Sequence, residues 1–113
     1  MAPTILVADD VPSIADLLAD EGYTVLTAYD GAQALALAAQ AYPALIISDI
    51  MMPRLSGVDL VAQLRARAAD AGPPVLLLSA GPPPRLPVQT AFLAKPFDLD
   101  ELVATVDRLL VSA

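Results

Sequence analysis

The sequence predicts a doubly wound α/β fold: a five-stranded parallel sheet covered by helices on both faces. Two observations carry this. Strand-like and helix-like segments alternate along the whole chain, and the strand-like runs are continuously apolar rather than alternating, as strands buried on both faces are. A third observation says where to look for function: four of the five strand-like runs end in a polar residue capable of chemistry. In open α/β sheets a ligand site lies beyond the carboxyl ends of the strands, where strand order reverses.

Thr4-Ile5-Leu6-Val7-Ala8 is the first buried run and leads into Asp9-Asp10. Pro12-Ser13 opens a helix with Ile14, Leu17 and Leu18 at helical spacing, and Gly22 is placed to close it. Thr24-Val25-Leu26-Thr27-Ala28 has β-branched character and ends without a reactive residue, as suits an edge strand. Asp30 caps a helix whose apolar face holds Ala34, Leu35, Leu37 and Ala38, with Pro43 beyond its end. The central run, Ala44-Leu45-Ile46-Ile47-Ser48, reaches Asp49 and continues as Ile50-Met51-Met52-Pro53-Arg54-Leu55-Ser56-Gly57. Ser56 with Asp59 resembles a capping box for a helix that buries Val58, Leu60, Val61 and Leu64. Val75-Leu76-Leu77-Leu78-Ser79 is the fourth strand, and Ala91-Phe92-Leu93-Ala94 a short fifth leading to Lys95-Pro96. Asp98 and Glu101 cap a last helix, ending at Val111, with a stripe of Leu99, Leu102, Val103, Val106, Leu109 and Leu110.

Composition narrows the function classes. The 113 residues are read as one domain, and a 57% hydrophobic share supplies a core without covalent staples. With neither Cys nor His, thiolate catalysis, disulfides and zinc sites of the usual kind are excluded, and a bound metal would take oxygen ligands. A net charge of −7 with only six Lys and Arg argues against nucleic acid as a partner. No apolar run is long enough to span a membrane, and the N-terminus lacks a basic segment before its apolar run, so a cytoplasmic location is expected.

Asp9, Asp10, Asp49, Ser79 and Lys95 should therefore converge on one pocket. Three carboxylates repel: two unit charges about 4 Å apart cost roughly 1 kcal/mol in water and about 4 at an effective dielectric near 20. One lysine cannot neutralise three acids, whereas a divalent cation can, and Mg²⁺ suits oxygen ligands with room for water. A carboxylate nucleophile, a metal, an ammonium and a hydroxyl are the parts of phosphoryl transfer.

With Asp9-Asp10, Asp49-Ile50-Met51-Met52-Pro53 and its following Gly57, Ser79, and Lys95-Pro96-Phe97 in this order, the chain resembles a response-regulator receiver domain of two-component signalling. The resemblance spans almost the whole chain. It implies a flavodoxin-like sheet of strand order 2-1-3-4-5. It implies that Asp49 accepts a phosphoryl group from a phosphohistidine on a histidine kinase or histidine phosphotransfer protein. Asp10, Asp49 and the backbone carbonyl of Met51 would bind Mg²⁺, with Asp9 acting mainly through water. Lys95 would pair with the phosphoryl oxygens, Ser79 would turn its hydroxyl toward them, and Phe92 would change rotamer with Ser79. The Lys95-Pro96 bond would be cis. The output would be binding of a downstream target protein, with a homodimer left open, and the only catalysis would be of the chain's own phosphorylation and dephosphorylation.

The chain departs from that family in two places. The first helix has room for three turns at most. The segment between Ser79 and Phe92 is about half a dozen residues short and carries Pro82, Pro83, Pro84 and Pro87, so a proline-rich loop is expected where relatives carry their fourth helix. The reading is of a stand-alone domain that lacks this helix. On this reading phosphorylation would order or shift the proline-rich loop.

Each residue alone has a plainer explanation: a solvated turn and cap at Asp9-Asp10, an exposed strand-end acid at Asp49, a strand-end hydroxyl at Ser79, a surface charge at Lys95, a core ring at Phe92. Their joint placement at successive strand ends is what argues for chemistry. Three other classes fit these residues less well. A receiver-like interaction module that works without phosphate is opposed by the intact set of acids, hydroxyl and lysine. A haloacid-dehalogenase-like phosphatase wants a second Asp two residues after the nucleophile, where this chain has Met51. Dinucleotide binding lacks its Gly-x-Gly-x-x-Gly after the first strand.

Overall fold

The computed structural model describes residues 3–8, 13–51, 56–67, 72–82, 85–86 and 90–112. Five strands form one parallel sheet: β1 (Thr4–Ala8), β2 (Thr24–Ala28), β3 (Leu45–Asp49), β4 (Val75–Ser79) and β5 (Thr90–Ala94), in the order β2-β1-β3-β4-β5. Four helices lie among the described residues: α1 (Ser13–Asp20), α2 (Gly31–Ala41), α3 (Gly57–Arg67) and α4 (Leu99–Ser112). The order is the one the resemblance implied, and it puts the reversal of strand order between β1 and β3.

Strand parity divides the apolar residues into two cores. Ile5, Val7, Leu45, Ile47, Leu76 and Leu78 face α1 and α4, where Ile14, Ala15, Leu18, Leu102 and Val106 complete one cluster. Leu6, Ala8, Ala28, Ile46, Val75 and Leu77 face α2 and α3, where Ala34, Leu35, Ala38, Leu60 and Val61 complete the other. This is why the strand runs are apolar at every position: both faces are covered. Each fully buried aliphatic side chain, such as Leu102 or Val106, contributes about 1.5–3 kcal/mol.

Helix ends follow the sequence closely. Gly22 adopts φ +98, and α1 closes in a Schellman arrangement, with the Gly22 N–H donating to the Ala19 carbonyl (3.0 Å) and the Tyr23 N–H to the Leu18 carbonyl (3.3 Å). The Asp30 carboxylate accepts from the Gln33 N–H at 2.8 Å, the Ser56 hydroxyl from the Asp59 N–H at 3.2 Å, and the Asp98 carboxylate from the Glu101 N–H at 2.8 Å. Small differences appear at the margins. β5 begins one residue earlier than expected, at Thr90, and α4 ends one residue later, at Ser112. Leu17 and Leu99, assigned to apolar stripes, are 38% and 36% exposed: Leu17 lies at the edge of the buried face of α1, and Leu99 is the first residue of α4.

Between β4 and β5 the described residues Gly81, Pro82, Arg85 and Leu86 are not helical. The other prolines of that segment, Pro83, Pro84 and Pro87, lie outside the described residues. β5 is an edge strand with no fully buried residue: all but one of its residues are half-buried, and Ala94 is exposed.

Candidate functional site

The site forms at the carboxyl edge of β3, β4 and β5. Asp49 is the last residue of β3 and is nearly buried, with 12% of its side chain exposed. A carboxylate this enclosed needs partners for both oxygens. It has them: Oδ1 accepts the Met51 N–H at 3.2 Å, and Oδ2 meets Lys95 Nζ at 2.7 Å. Asp49 and Lys95 share strand parity, with Ile47 and Leu93 respectively, so both project toward the same face and the ion pair spans the end of β4 between them. Lys95 is itself held through its main chain, its N–H donating to the Ser79 carbonyl at 2.9 Å, and it precedes a cis peptide bond to Pro96, as the resemblance implied.

The backbone beneath Asp49 is equally committed. Ser48, fully buried, donates its hydroxyl to the Asp49 carbonyl at 2.9 Å, which removes the cost of about 1–3 kcal/mol that an unsatisfied buried hydroxyl would carry. The Ile50 N–H donates to the Leu78 carbonyl and the Gly57 N–H to the Ile50 carbonyl, both at 3.0 Å. The first residue of α3 thus sits directly on the β3 terminus. A Cβ on Gly57 would lie 2.6 Å from the Asp49 carbonyl oxygen, so any other residue at this crossing must push α3 and the strand end apart.

Ser79 ends β4, nearly buried, and its Oγ accepts the Gly81 N–H at 3.1 Å. Phe92 is half-buried against the core on the α2–α3 side. Strand pairing sets Leu77 beside Phe92 and Ser79 beside Ala94, so Ser79 and Phe92 are diagonal neighbours on one face. The structure therefore joins Asp49, Lys95 and the Met51 main chain in direct contact, with Ser79 on the intervening strand. The positions assigned to metal binding at Asp9 and Asp10 lie outside the described residues; Ala8, which precedes them, pairs with Ser48 beside Asp49. Among the described residues no group of three or more acidic or other metal-ligating side chains occurs, since two of the three acids of the expected set are Asp9 and Asp10.

Three contributors escaped the sequence reading: the Met51 N–H on Asp49, the close approach at Gly57, and the Gly81 N–H on Ser79. Only Gly57 left a signal, a glycine in the first position of an otherwise ordinary helix. Backbone donors leave none, because every residue but proline has one.

A five-stranded parallel sheet with an acid–lysine pair at its carboxyl edge defines a doubly wound α/β protein whose site faces the strand ends. The chain belongs to the response regulator receiver domain family, whose model matches residues 5–107. It is 38% identical to the DNA-binding dual master transcriptional regulator RpaA of Synechocystis over 96% of this chain and 49% of that protein. It is 38% identical to the sensor histidine kinase TmoS of Ectopseudomonas mendocina over 96% of this chain and 12% of that protein. The chain thus spans about half or less of the length of these curated relatives. The RpaA match runs over 118 positions, against 113 residues in this chain, so the relative carries residues this chain lacks. Among solved structures, the chemotaxis protein CheY4 of Vibrio cholerae is similar at 34% identity and a TM-score of 0.84, over 96% of this chain and 99% of that one. The receiver domain of a Pseudomonas aeruginosa sensor histidine kinase, solved with magnesium coordinated in its active site cleft, is similar at 26% identity and a TM-score of 0.84, over 98% of this chain and 99% of that one. The chain is accordingly a receiver domain of two-component signalling. Among the described residues no helix is long and apolar enough to cross a membrane.

Proposed function

We propose that Asp49 is a phosphoacceptor, taking a phosphoryl group from a phosphohistidine on a histidine kinase or histidine phosphotransfer protein in a Mg²⁺-dependent reaction. The observation that carries the proposal is the Lys95–Asp49 contact at 2.7 Å, in a pair enclosed by the fold yet reaching the surface. A carboxylate oxygen of Asp49 attacks phosphorus, the P–N bond to the imidazole breaks, and its electron pair returns to that ring nitrogen. The product is an acyl phosphate on Asp49. Lys95, released from the carboxylate oxygen as its charge moves onto the phosphoryl group, follows that charge and pairs with a phosphoryl oxygen. Ser79 donates its hydroxyl to another.

The donor set suits a hard divalent cation. The chain offers oxygen ligands and neither Cys nor His, and the three acids assigned to metal binding outnumber the one lysine. Asp49, Asp10 and the Met51 carbonyl would hold Mg²⁺, with Asp9 acting through water. Bound there, Mg²⁺ supplies charge neutralisation between the acids and the incoming phosphoryl oxygens. The chain turns over no other substrate: it catalyses only its own phosphorylation and dephosphorylation. Its output is a changed surface for a downstream target protein, in the cytoplasm.

The test is incubation with acetyl phosphate and Mg²⁺ followed by intact mass measurement. Wild-type protein should gain the mass of one phosphoryl group, and Asp49→Asn should gain none. Unmodified wild type, or equal labelling of the variant, would instead favour an interaction module that works without phosphate.

A further inference from the structure

We infer that Gly81 is a positioning residue: its main-chain N–H aims the Ser79 hydroxyl at the phosphoryl group. This deepens the phosphoacceptor reading and rests on it. Ser79 Oγ accepts the Gly81 N–H at 3.1 Å. A hydroxyl has one proton and two lone pairs. Once a lone pair is committed to Gly81, rotation about Cβ–Oγ is restricted and the single proton is directed away from Gly81, available for donation to a phosphoryl oxygen. Ser79 itself has little freedom, being nearly buried at the strand end with its carbonyl holding the Lys95 N–H at 2.9 Å.

The local sequence dedicates this donor. Pro82, Pro83 and Pro84 have no N–H, so Gly81 carries the only main-chain donor between Ala80 and Arg85. A helix starting here would bring several N–H groups to the same edge. The stretch from Gly81 to Pro84 carries one, and it is spent on Ser79. Side-chain absence is not what the position requires. Gly81 is not among the glycines with positive φ, and a Cβ on it would meet Ser79 Oγ at an ordinary 3.7 Å. The functional group at this position is the N–H alone.

That separation gives a clean experiment with the full chain. Gly81→Pro removes the N–H, while Gly81→Ala, the conservative variant, keeps it. With acetyl phosphate and Mg²⁺, Gly81→Pro should slow phosphorylation of Asp49 about tenfold, because a transition-state donor is misaimed rather than deleted. Gly81→Ala should restore the rate to within about twofold of wild type. In a Ser79→Ala background Gly81→Pro should cause no further loss, since groups that act through one another are non-additive. A merely structural role would add its loss in both backgrounds. Independently of phosphorylation, the Gly81 amide resonance of the resting protein should move and exchange faster in Ser79→Ala, a measurement that needs no folded Gly81→Pro protein. The inference is overturned if Gly81→Pro reacts like Gly81→Ala, if its loss persists undiminished without the Ser79 hydroxyl, or if the Gly81 amide is indifferent to Ser79→Ala. Wild-type protein that takes no phosphoryl group overturns the parent reading, and this one with it.

Discussion

Replacing Gly57 by alanine should destabilise this protein, against the usual direction for a helix. In an ordinary helical position Gly→Ala gains up to about 1 kcal/mol, because glycine carries the larger conformational entropy cost. At Gly57 the new Cβ would sit 2.6 Å from the Asp49 carbonyl oxygen, 3.0 Å from Ile50 Cα and 3.1 Å from Leu77 Cδ2. The first two neighbours are main-chain atoms of the β3 terminus and cannot swing aside. Against a minimum of about 3.0 Å for real Cβ contacts, α3 must lift by at least about 0.4 Å, the difference from 2.6 Å. That movement strains the Gly57 N–H to Ile50 carbonyl bond and opens the core beneath Leu60 and Val61. Overpacking of this kind costs about 1–3 kcal/mol, so after the propensity gain the net loss is about 1–2 kcal/mol. For a domain of this size the melting temperature should fall by about 5–10 °C, read by circular dichroism at 222 nm. The Asp49 carbonyl also receives the Ser48 hydroxyl, so the acceptance of phosphate from acetyl phosphate should slow in the same variant. An unchanged or raised melting temperature would refute the reasoning, because it would mean that helix propensity outweighs the contact.

Two further outcomes are expected. Met51 is 77% exposed two residues after Asp49, and its side chain cannot orient water by hydrogen bonding; phosphorylated protein should therefore lose its phosphoryl group slowly, and Met51→Asn should shorten its lifetime in a decay assay, an unchanged lifetime counting against this role. The Tyr23 hydroxyl donates to Asp107, and this bond, with burial and the charges of Asp107 and Glu21, raises the phenol from its ordinary 10.0 to about 12. Because the folded form holds the proton more tightly, the contribution is complete below pH 10 and disappears as pH rises toward about 12. Urea midpoints should therefore favour wild type over Tyr23→Phe at neutral pH, with the difference narrowing across that alkaline window; a constant difference would show that the hydroxyl contributes through packing alone.

Strand identity was legible because two-sided burial leaves an apolar run that periodicity can find, and helix ends because Asp30, Ser56, Asp98 and Gly22 are chemically suited to caps and nothing else about them needed tertiary information. The margins were less legible. Leu17 and Leu99 fit an apolar stripe, but which edge of a stripe stays wet depends on how the helix is rotated against the sheet, as at Leu17, and how much of its first turn is covered depends on where the helix starts over the sheet, as at Leu99.

Asp49, Ser79 and Lys95 could be selected from sequence because each ends an apolar strand, and parallel strands that share an edge must present their ends together. That much is a consequence of chain order and strand polarity. What only the folded chain decided is who holds whom. The Lys95 ammonium rests on Asp49 Oδ2, the other oxygen is held by the Met51 main chain, Gly57 bears on the Asp49 carbonyl, and the Gly81 N–H secures Ser79. Apart from the Lys95 ion pair, these contacts are made by main-chain donors and by close approach, and of them only the close approach leaves a trace in residue identity, the glycine at 57. The sheet could be read from the alternation of residue types, whereas the setting of its carboxylate came from the positions of atoms that all residues share.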